Sequence, residues 1–363
     1  MKKFFSFFLI TLITTLIFLT IDFFLGEKLL VKFKLKIDNT FRIQNNFYHH
    51  GFKKNYKTNF TGWGPYTYTF CTNSHGFRSK CNSVEHKKYD VAFIGDSFTE
   101  GVGLNYEDTF VGIIENLTQK KILNLGIVSS SPSLYLKKLN YILNKGIHFD
   151  DLIVAMDLSD IYDELSYNET FKSDTNKCKY GNQVLQNKTN FYSYIKYFLK
   201  DNLQITYTLL KKLWWEFNFR KINKNFNLAY LEKNFYRSAW PYNNTIKEFR
   251  NKECLNELIV ATELVSMEIY SLLRKHGINL SILIYPWPGT LIHDNENSKY
   301  VEIWKNFCFN KCKTFLNSFP IFFDELNYID NQKIIDKYYF KYDVHFNKKG
   351  NKLLANFINK NFF

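Results

Sequence analysis

No Cys-x-x-Cys pair occurs in this 363-residue chain, and none of its eight histidines falls at metal-ligand spacing beside the six cysteines at 71, 81, 178, 254, 308 and 312. A zinc-finger reading is thereby excluded. The carboxylate-rich run from Asp157 to Glu164 lacks the spacing of a calcium-binding loop, so no metal or cofactor is expected. There is no RNP-like segment and no compact arginine cluster. The formal net charge of +14 comes from lysines scattered among Asn, Phe, Tyr and Ile. That dispersion argues against a nucleic-acid partner and leaves a basic exterior suited to an acidic polysaccharide or a membrane surface. Oligomeric state leaves no mark on the sequence, and no internal repeat is visible. For the cysteines two readings stand: bridges Cys71–Cys81 and Cys308–Cys312 in an oxidising compartment, or free buried thiols.

Only one hydrophobic run is long. Phe4 to Ile21 is uncharged and follows Lys2 and Lys3. It meets the lower limit for a bilayer-spanning helix, about 18 to 20 residues. It is longer than an ordinary signal-peptide core, and no small-x-small cleavage site follows it. With the first cysteine at position 71, there is no N-terminal lipid-attachment cysteine. Residues 1–26 therefore read as an uncleaved signal anchor whose lysines keep the N-terminus in the cytoplasm. A cleaved signal peptide is the rival reading. Under the anchor reading the protein is single-pass in the inner membrane, with the remainder on the periplasmic side. Residues 27–85 are a juxtamembrane and lead-in segment without sustained periodicity.

From residue 86 the pattern becomes strand, turn, helix, repeated. Strands are expected at Tyr89–Ile94, Lys121–Ile127, Asp151–Leu158, Ile278–Tyr285 and Ile321–Glu325. Helices are expected at Tyr106–Lys120, Ser133–Lys145, Leu255–Lys275, Val301–Phe315 and Asn347–Lys360. Such alternation implies an α/β fold with a parallel sheet covered on both faces. Residues from about 164 to 250 break the pattern and read as a helical insertion, a lid or small subdomain containing the helical stretch Asn190–Lys221. An amphipathic helix lying on the membrane is the alternative for that stretch.

Chemistry concentrates at two places. Gly95-Asp96-Ser97 follows an apolar strand and precedes Phe98-Thr99-Glu100-Gly101-Val102-Gly103, which puts a serine at the carboxyl edge of a parallel sheet. Far downstream stands Asp343-Val344-His345, followed by Phe346-Asn347-Lys348-Lys349-Gly350. Between them, Asn124-Leu125-Gly126 precedes Ser129-Ser130-Ser131-Pro132. In this order the blocks resemble those of the SGNH/GDSL hydrolase superfamily, over roughly residues 73–363 with the insertion a poor match.

The resemblance implies a three-layer, flavodoxin-like α/β/α sandwich with Ser97 as nucleophile, His345 as base and Asp343 as the orienting carboxylate. It also implies an oxyanion hole that includes the backbone N–H groups of Ser97 and Gly126. Two features depart from the family pattern. Asp157-Leu158-Ser159-Asp160 stands where Gly-x-Asn-Asp is usual, so Ser159 replaces a side-chain amide donor. Losing such a donor costs about 3 kcal/mol of transition-state stabilisation. Asp-x-His also stands where Asp-x-x-His is commoner, which leaves Asp336 as a second candidate carboxylate. Asp96 and Asp160 read as structural.

Tyr285 and Trp287, ending a strand on the edge that carries Ser97, are candidate substrate-binding platforms; Trp240 is a third, and core packing is the alternative. The expected activity is a serine esterase or O-acyltransferase acting on acyl, chiefly acetyl, esters of an envelope polysaccharide. The alternatives are a catalytically weak glycan-binding or assembly protein, and a lipid esterase or thioesterase.

Overall fold

The computed structural model describes residues 2–33, 37–84, 86–169, 171, 191–222, 237–242, 252–341 and 343–363. The chain divides into two compact units: Met1–Ile37 with Asn182–Ala229, and Asp38–Gly181 with Tyr230–Phe363.

In the first unit, helix α1 (Lys2–Lys32) continues beyond the sequence-expected end at residue 26. Its stretch Phe4–Leu30 is long and apolar enough to cross a membrane, and none of its most apolar window is buried. Its length and composition fit a transmembrane anchor or a signal sequence alike.

The second unit begins with two antiparallel hairpins that the sequence pattern does not announce. They are β1 (Arg42–Asn45) with β2 (His49–Phe52), and β3 (Lys57–Trp63) with β4 (Tyr66–Cys71). The strands are short, and a register shift between Thr58 and Thr61 breaks their alternation, which hides the period of two. Phe41, Tyr48, Phe52, Tyr68 and Phe70 form their core together with Ile127.

Five parallel strands follow: β5 (Lys88–Gly95), β6 (Ile122–Asn124), β7 (His148–Ala155), β8 (Asn279–Ile284) and β9 (Thr314–Asn317). Their order in the sheet is β6-β5-β7-β8-β9. β5 is flanked on both sides, pairing Val91 with Ile122 and Gly95 with Ala155. Its near-continuous apolar run, buried from Val91 to Gly95, is what a strand covered on both faces requires.

Between the strands run α2 (Ser97–Glu100), α3 (Phe110–Thr118), α4 (Pro132–Asn144) and α5 (Asp160–Tyr167). The stretch expected as one helix over 190–221 is two, α6 (Phe191–Asn202) and α7 (Gln204–Ile222), and it belongs to the first unit, where α7 packs on both α1 and α6. Then come α8 (Lys252–Lys275), α9 (Pro288–His293), α10 (Lys299–Cys308), α11 (Phe319–Leu326), α12 (Asn331–Tyr338) and α13 (Lys348–Phe362). α3 packs on α13, and α4 and α5 pack on α8.

The fifth strand is a correction. It is Thr314–Asn317, paired from Ser281–Thr314 to Ile284–Asn317, while Ile321–Glu325 lies in helix α11. Pro320 has no N–H for a ladder and suits the first turn of a helix. Phe319 and Phe322, three residues apart, are both fully buried, as one helical face demands. Helix α10 accordingly ends at Cys308, short of the expected Phe315.

Cys71–Cys81 and Cys308–Cys312 are both disulfide-bonded, and Cys254 is bonded too. No described cysteine is free, so the bridged reading holds for them; Cys178 lies outside the described residues. The Cys71–Cys81 bond closes the loop between β4 and the run into β5. Replacing both cysteines by serine is expected to cost about 3 kcal/mol through the freed unfolded state. Chemical denaturation should show a clearly lowered midpoint; an unchanged one would mean the bond constrains nothing.

Candidate active site

Gly95 ends β5, and the chain turns at once into the four-residue helix α2. Asp96 caps it by accepting the Phe98 N–H at 2.9 Å. Gly101 closes it in the left-handed region, φ 75°, which glycine enters without a Cβ penalty. Ser97 is thus the first helical residue, with its hydroxyl at the carboxyl end of a central strand.

The turn is held from outside by Arg78, which follows the hairpins, and by Arg42 of β1. Arg78, only 1% exposed, donates to the carbonyls of Glu100, Gly101 and Leu104. Its guanidinium lies over the rings of Phe70 and Tyr68. Glu100, fully buried, accepts from Arg42 and from the Val128 N–H.

The C-terminal segment supplies the other half. An isolated bridge pairs Tyr339 with Phe346, and the Phe340 N–H donates to the His345 carbonyl at 2.9 Å. This tight loop carries Asp343 and His345. Asn347, whose side chain accepts from the Lys349 and Gly350 N–H groups, starts α13 immediately after it.

The two halves meet. His345 Nε2 lies 2.7 Å from Ser97 Oγ, and His345 Nδ1 bonds Asp343 Oδ1. The imidazole is held between rings, with Phe98 tilted at 4.6 Å and Trp63 edge-on at 5.1 Å. Trp63 also donates its indole N–H to Asp343 Oδ2 at 2.8 Å, so the β3–β4 hairpin contributes to the constellation. Nothing in the local pattern around Trp63 marks that role, because it depends on contact with a residue 280 positions away. Asp336 bonds Gln332, which leaves Asp343 as the carboxylate on His345.

Electrostatics favour a basic imidazole. Burial alone would lower the pKa of His345, but the Asp343 carboxylate, helped by Asp96 and Asp157, outweighs it and raises the pKa above the ordinary 6.5. Burial pushes Asp343 up, yet His345 and the Trp63 N–H reverse this and its carboxyl ends below the usual range. Asp96 is pushed up to about 7 by burial and by neighbouring Asp157, against the pull of His345. Asp96 Oδ2 also lies 3.0 Å from Ser97 Oγ, so the hydroxyl proton has two acceptors within reach.

The other sequence-expected residues are placed as follows. The Gly126 N–H donates to Asn124 Oδ1 at 2.9 Å. The Ser159 hydroxyl donates to Asp157 Oδ1 at 2.7 Å, and its backbone N–H bonds the same oxygen. Of the three expected oxyanion donors, Gly126 and Ser159 are therefore engaged elsewhere. Tyr285, Trp287 and Trp240 are buried and offer no open ring face. Tyr285 packs at 4.7 Å on Phe98, while Trp287 donates to Asp157 and Trp240 to the Leu158 carbonyl. Asp160 accepts from the Tyr135 hydroxyl and the Asp157 N–H. Among the described residues no group of three or more His, Cys, Asp or Glu could hold a metal ion.

No protein-family model matches the chain, and no curated protein matches it. The site therefore rests on its own geometry: a hydroxyl, an imidazole and a carboxylate in hydrogen-bonded sequence, the arrangement that activates a serine.

Two outcomes follow. A Cβ on Gly126 would lie 2.3 Å from the Glu100 nitrogen and 2.5 Å from the Thr99 carbonyl carbon. Gly126→Ala should thus displace α2 and cost roughly 1–3 kcal/mol, read as a lower melting temperature together with loss of Ser97 reactivity. Trp63→Phe should leave the fold intact and lower kcat about tenfold, by removing one hydrogen bond to a charged group. Without that donor the Asp343 carboxylate is more basic and turns more negative charge on the imidazolium, so the acid limb of the pH profile should move up; a limb that stays put would remove Trp63 from the constellation.

Proposed function

We propose that this protein is an SGNH-type serine esterase or O-acyltransferase that acts on acyl esters of an envelope polysaccharide. The observation that carries the reading is the 2.7 Å contact between Ser97 Oγ and His345 Nε2, with Asp343 on the opposite ring nitrogen. The sheet order β6-β5-β7-β8-β9, equivalent to 2-1-3-4-5, is that of flavodoxin-like folds and supports the expected three-layer sandwich. Disulfides at Cys71–Cys81 and Cys308–Cys312 favour an oxidising compartment. With α1 as an anchor, that compartment is the periplasmic side of the inner membrane.

In this mechanism Ser97 Oγ attacks the acyl carbon while His345 Nε2 takes the hydroxyl proton. Asp343 fixes the imidazole by accepting from Nδ1 and stabilises the imidazolium. The tetrahedral intermediate collapses by breaking the bond to the sugar oxygen, which receives the proton from Nε2, and an acyl-serine remains. A second hydroxyl then attacks the acyl-serine, with His345 again taking its proton, and the intermediate collapses by breaking the bond to Ser97 Oγ, which recovers its proton from Nε2. Water as that nucleophile releases the free acid; another sugar hydroxyl gives acyl transfer.

A second reading, a catalytically weak member that binds glycan or organises an assembly, is favoured by one observation. Gly126 N–H and Ser159 Oγ already donate internally, which removes two expected oxyanion donors.

Full-length protein in detergent should hydrolyse p-nitrophenyl acetate, and Ser97→Ala should abolish this. A fluorophosphonate should label Ser97 stoichiometrically. Because the base must be neutral, activity should fall as pH drops through a His345 pKa above 6.5. Hydrolysis unaffected by Ser97→Ala would discard Ser97 as nucleophile, and absence of labelling in folded protein would favour the binding reading.

A further inference from the structure

Asp22 sits in the apolar helix α1 and yet is only 1% exposed. Its carboxylate accepts the Ile205 N–H at 2.8 Å, the Thr206 N–H at 2.7 Å and the Thr206 hydroxyl at 2.7 Å. A charged side chain of one helix thus caps the N-terminus of another, α7, satisfying amides that a helix start otherwise leaves open. Gly26, one turn on, lies on the same face. A Cβ there would meet the Asp22 carboxylate at 2.1 Å, while Ile205 at 3.6 Å would be in ordinary contact, so the absence of a side chain leaves room for the carboxylate in the position from which it caps α7.

Counted from Phe4, Asp22 lies about 27 Å along the helix, close to the ~30 Å thickness of a bilayer's hydrocarbon core. A carboxyl group at that boundary would be costly alone, and here both of its oxygens accept hydrogen bonds. α7 itself is not a second span, because Lys211, Lys212 and Glu216 interrupt it. From Leu209 to Trp214 every residue of α7 is exposed, and on it Leu209, Leu213 and Phe217 recur at a spacing of four to form an apolar stripe, with Leu210 and Trp214 beside it. Lys211 and Lys212, also exposed, flank this stripe. Large apolar side chains bordered by lysines suit a helix lying at the headgroup level of an anionic bilayer.

We propose that α1 is retained in the working protein and that Asp22 docks α7 onto it so that the Leu209–Phe217 face lies on the lipid surface. The occupant of that face is the bilayer into which α1 inserts, since α7 is held against the helix whose apolar surface is otherwise uncovered. This goes beyond the esterase reading and is independent of it, because no group of the Ser97 constellation takes part.

The test uses full-length protein reconstituted in vesicles of phosphatidylglycerol and phosphatidylcholine, with a benzophenone amino acid replacing Leu213, Phe217, Ile10 or Tyr328 in turn. Lipid adducts are expected from positions 10, 213 and 217 and not from 328. Asp22→Leu should reduce adducts at 213 and 217 about tenfold through loss of the cap, with position 10 unchanged and Asp22→Asn in between. Ser97→Ala should label like the parent. Intact-mass measurement should show an N-terminus that retains Asp22. Crosslinks from 213 to a second copy, adducts no higher than at 328, labelling insensitive to Asp22→Leu, or a mature chain starting after Asp22 would each overturn the proposal.

Discussion

A buried guanidinium holds the turn on which the site is built. Arg78 stays charged in proteins, and burying such a group is costly unless its donors are satisfied. Here three carbonyls of the Glu100–Leu104 turn accept from it, and aromatic faces of the β3–β4 hairpin cover it. Arg78 also bridges to Asn124 on the edge strand β6. Without it the carbonyls at the end of α2 would point into an apolar interior unpaired, and the position of Ser97 would be loosely determined. The hairpins are therefore part of the framework that positions Ser97 and not a mere lead-in to the sheet.

Beneath Ser97 lies a second constraint, a group of buried carboxylates. Asp96, Asp157, Asp160 and Asp163 come from the ends of β5 and β7 and the start of α5, and each accepts from named donors. Burial, with mutual repulsion, raises Asp96, Asp160 and Asp163 above the usual carboxylate range. Arg237 opposes it at Asp163. The negative potential of Asp96 and Asp157, added to that of Asp343, supports a cationic imidazole at His345, the state an imidazole reaches when it takes the proton of a serine hydroxyl.

Much of this was legible in the linear pattern. The apolar run of β5 entering Gly95-Asp96-Ser97, the strand–helix alternation, and Asp343-Val344-His345 ahead of a helix are local signals, and the corresponding elements lie where local physics puts them. The hairpins were not legible, because β1 and β2 are only four residues long and a register shift interrupts the longer β3–β4 pair. The last strand was misplaced because aromatic residues around Pro320 satisfy strand propensity while their buried spacing is helical. The engagement of the Gly126 amide and the Ser159 hydroxyl was equally hidden. Each is spent on a side chain two residues away, a choice set by the turn geometry.

By itself, the order of residues determined the parallel-sheet framework, the apolar N-terminal helix and the identity of the hydroxyl, imidazole and carboxylate. Those follow from periodicity and side-chain chemistry, which are properties of neighbours in the chain. Tertiary structure alone decided that Ser97 and His345 touch, that Trp63 supports Asp343, and that Asp22 caps α7. Such contacts join positions from about 180 to 280 residues apart, and their geometry is set by how packed elements close on one another, a relation that no local pattern encodes.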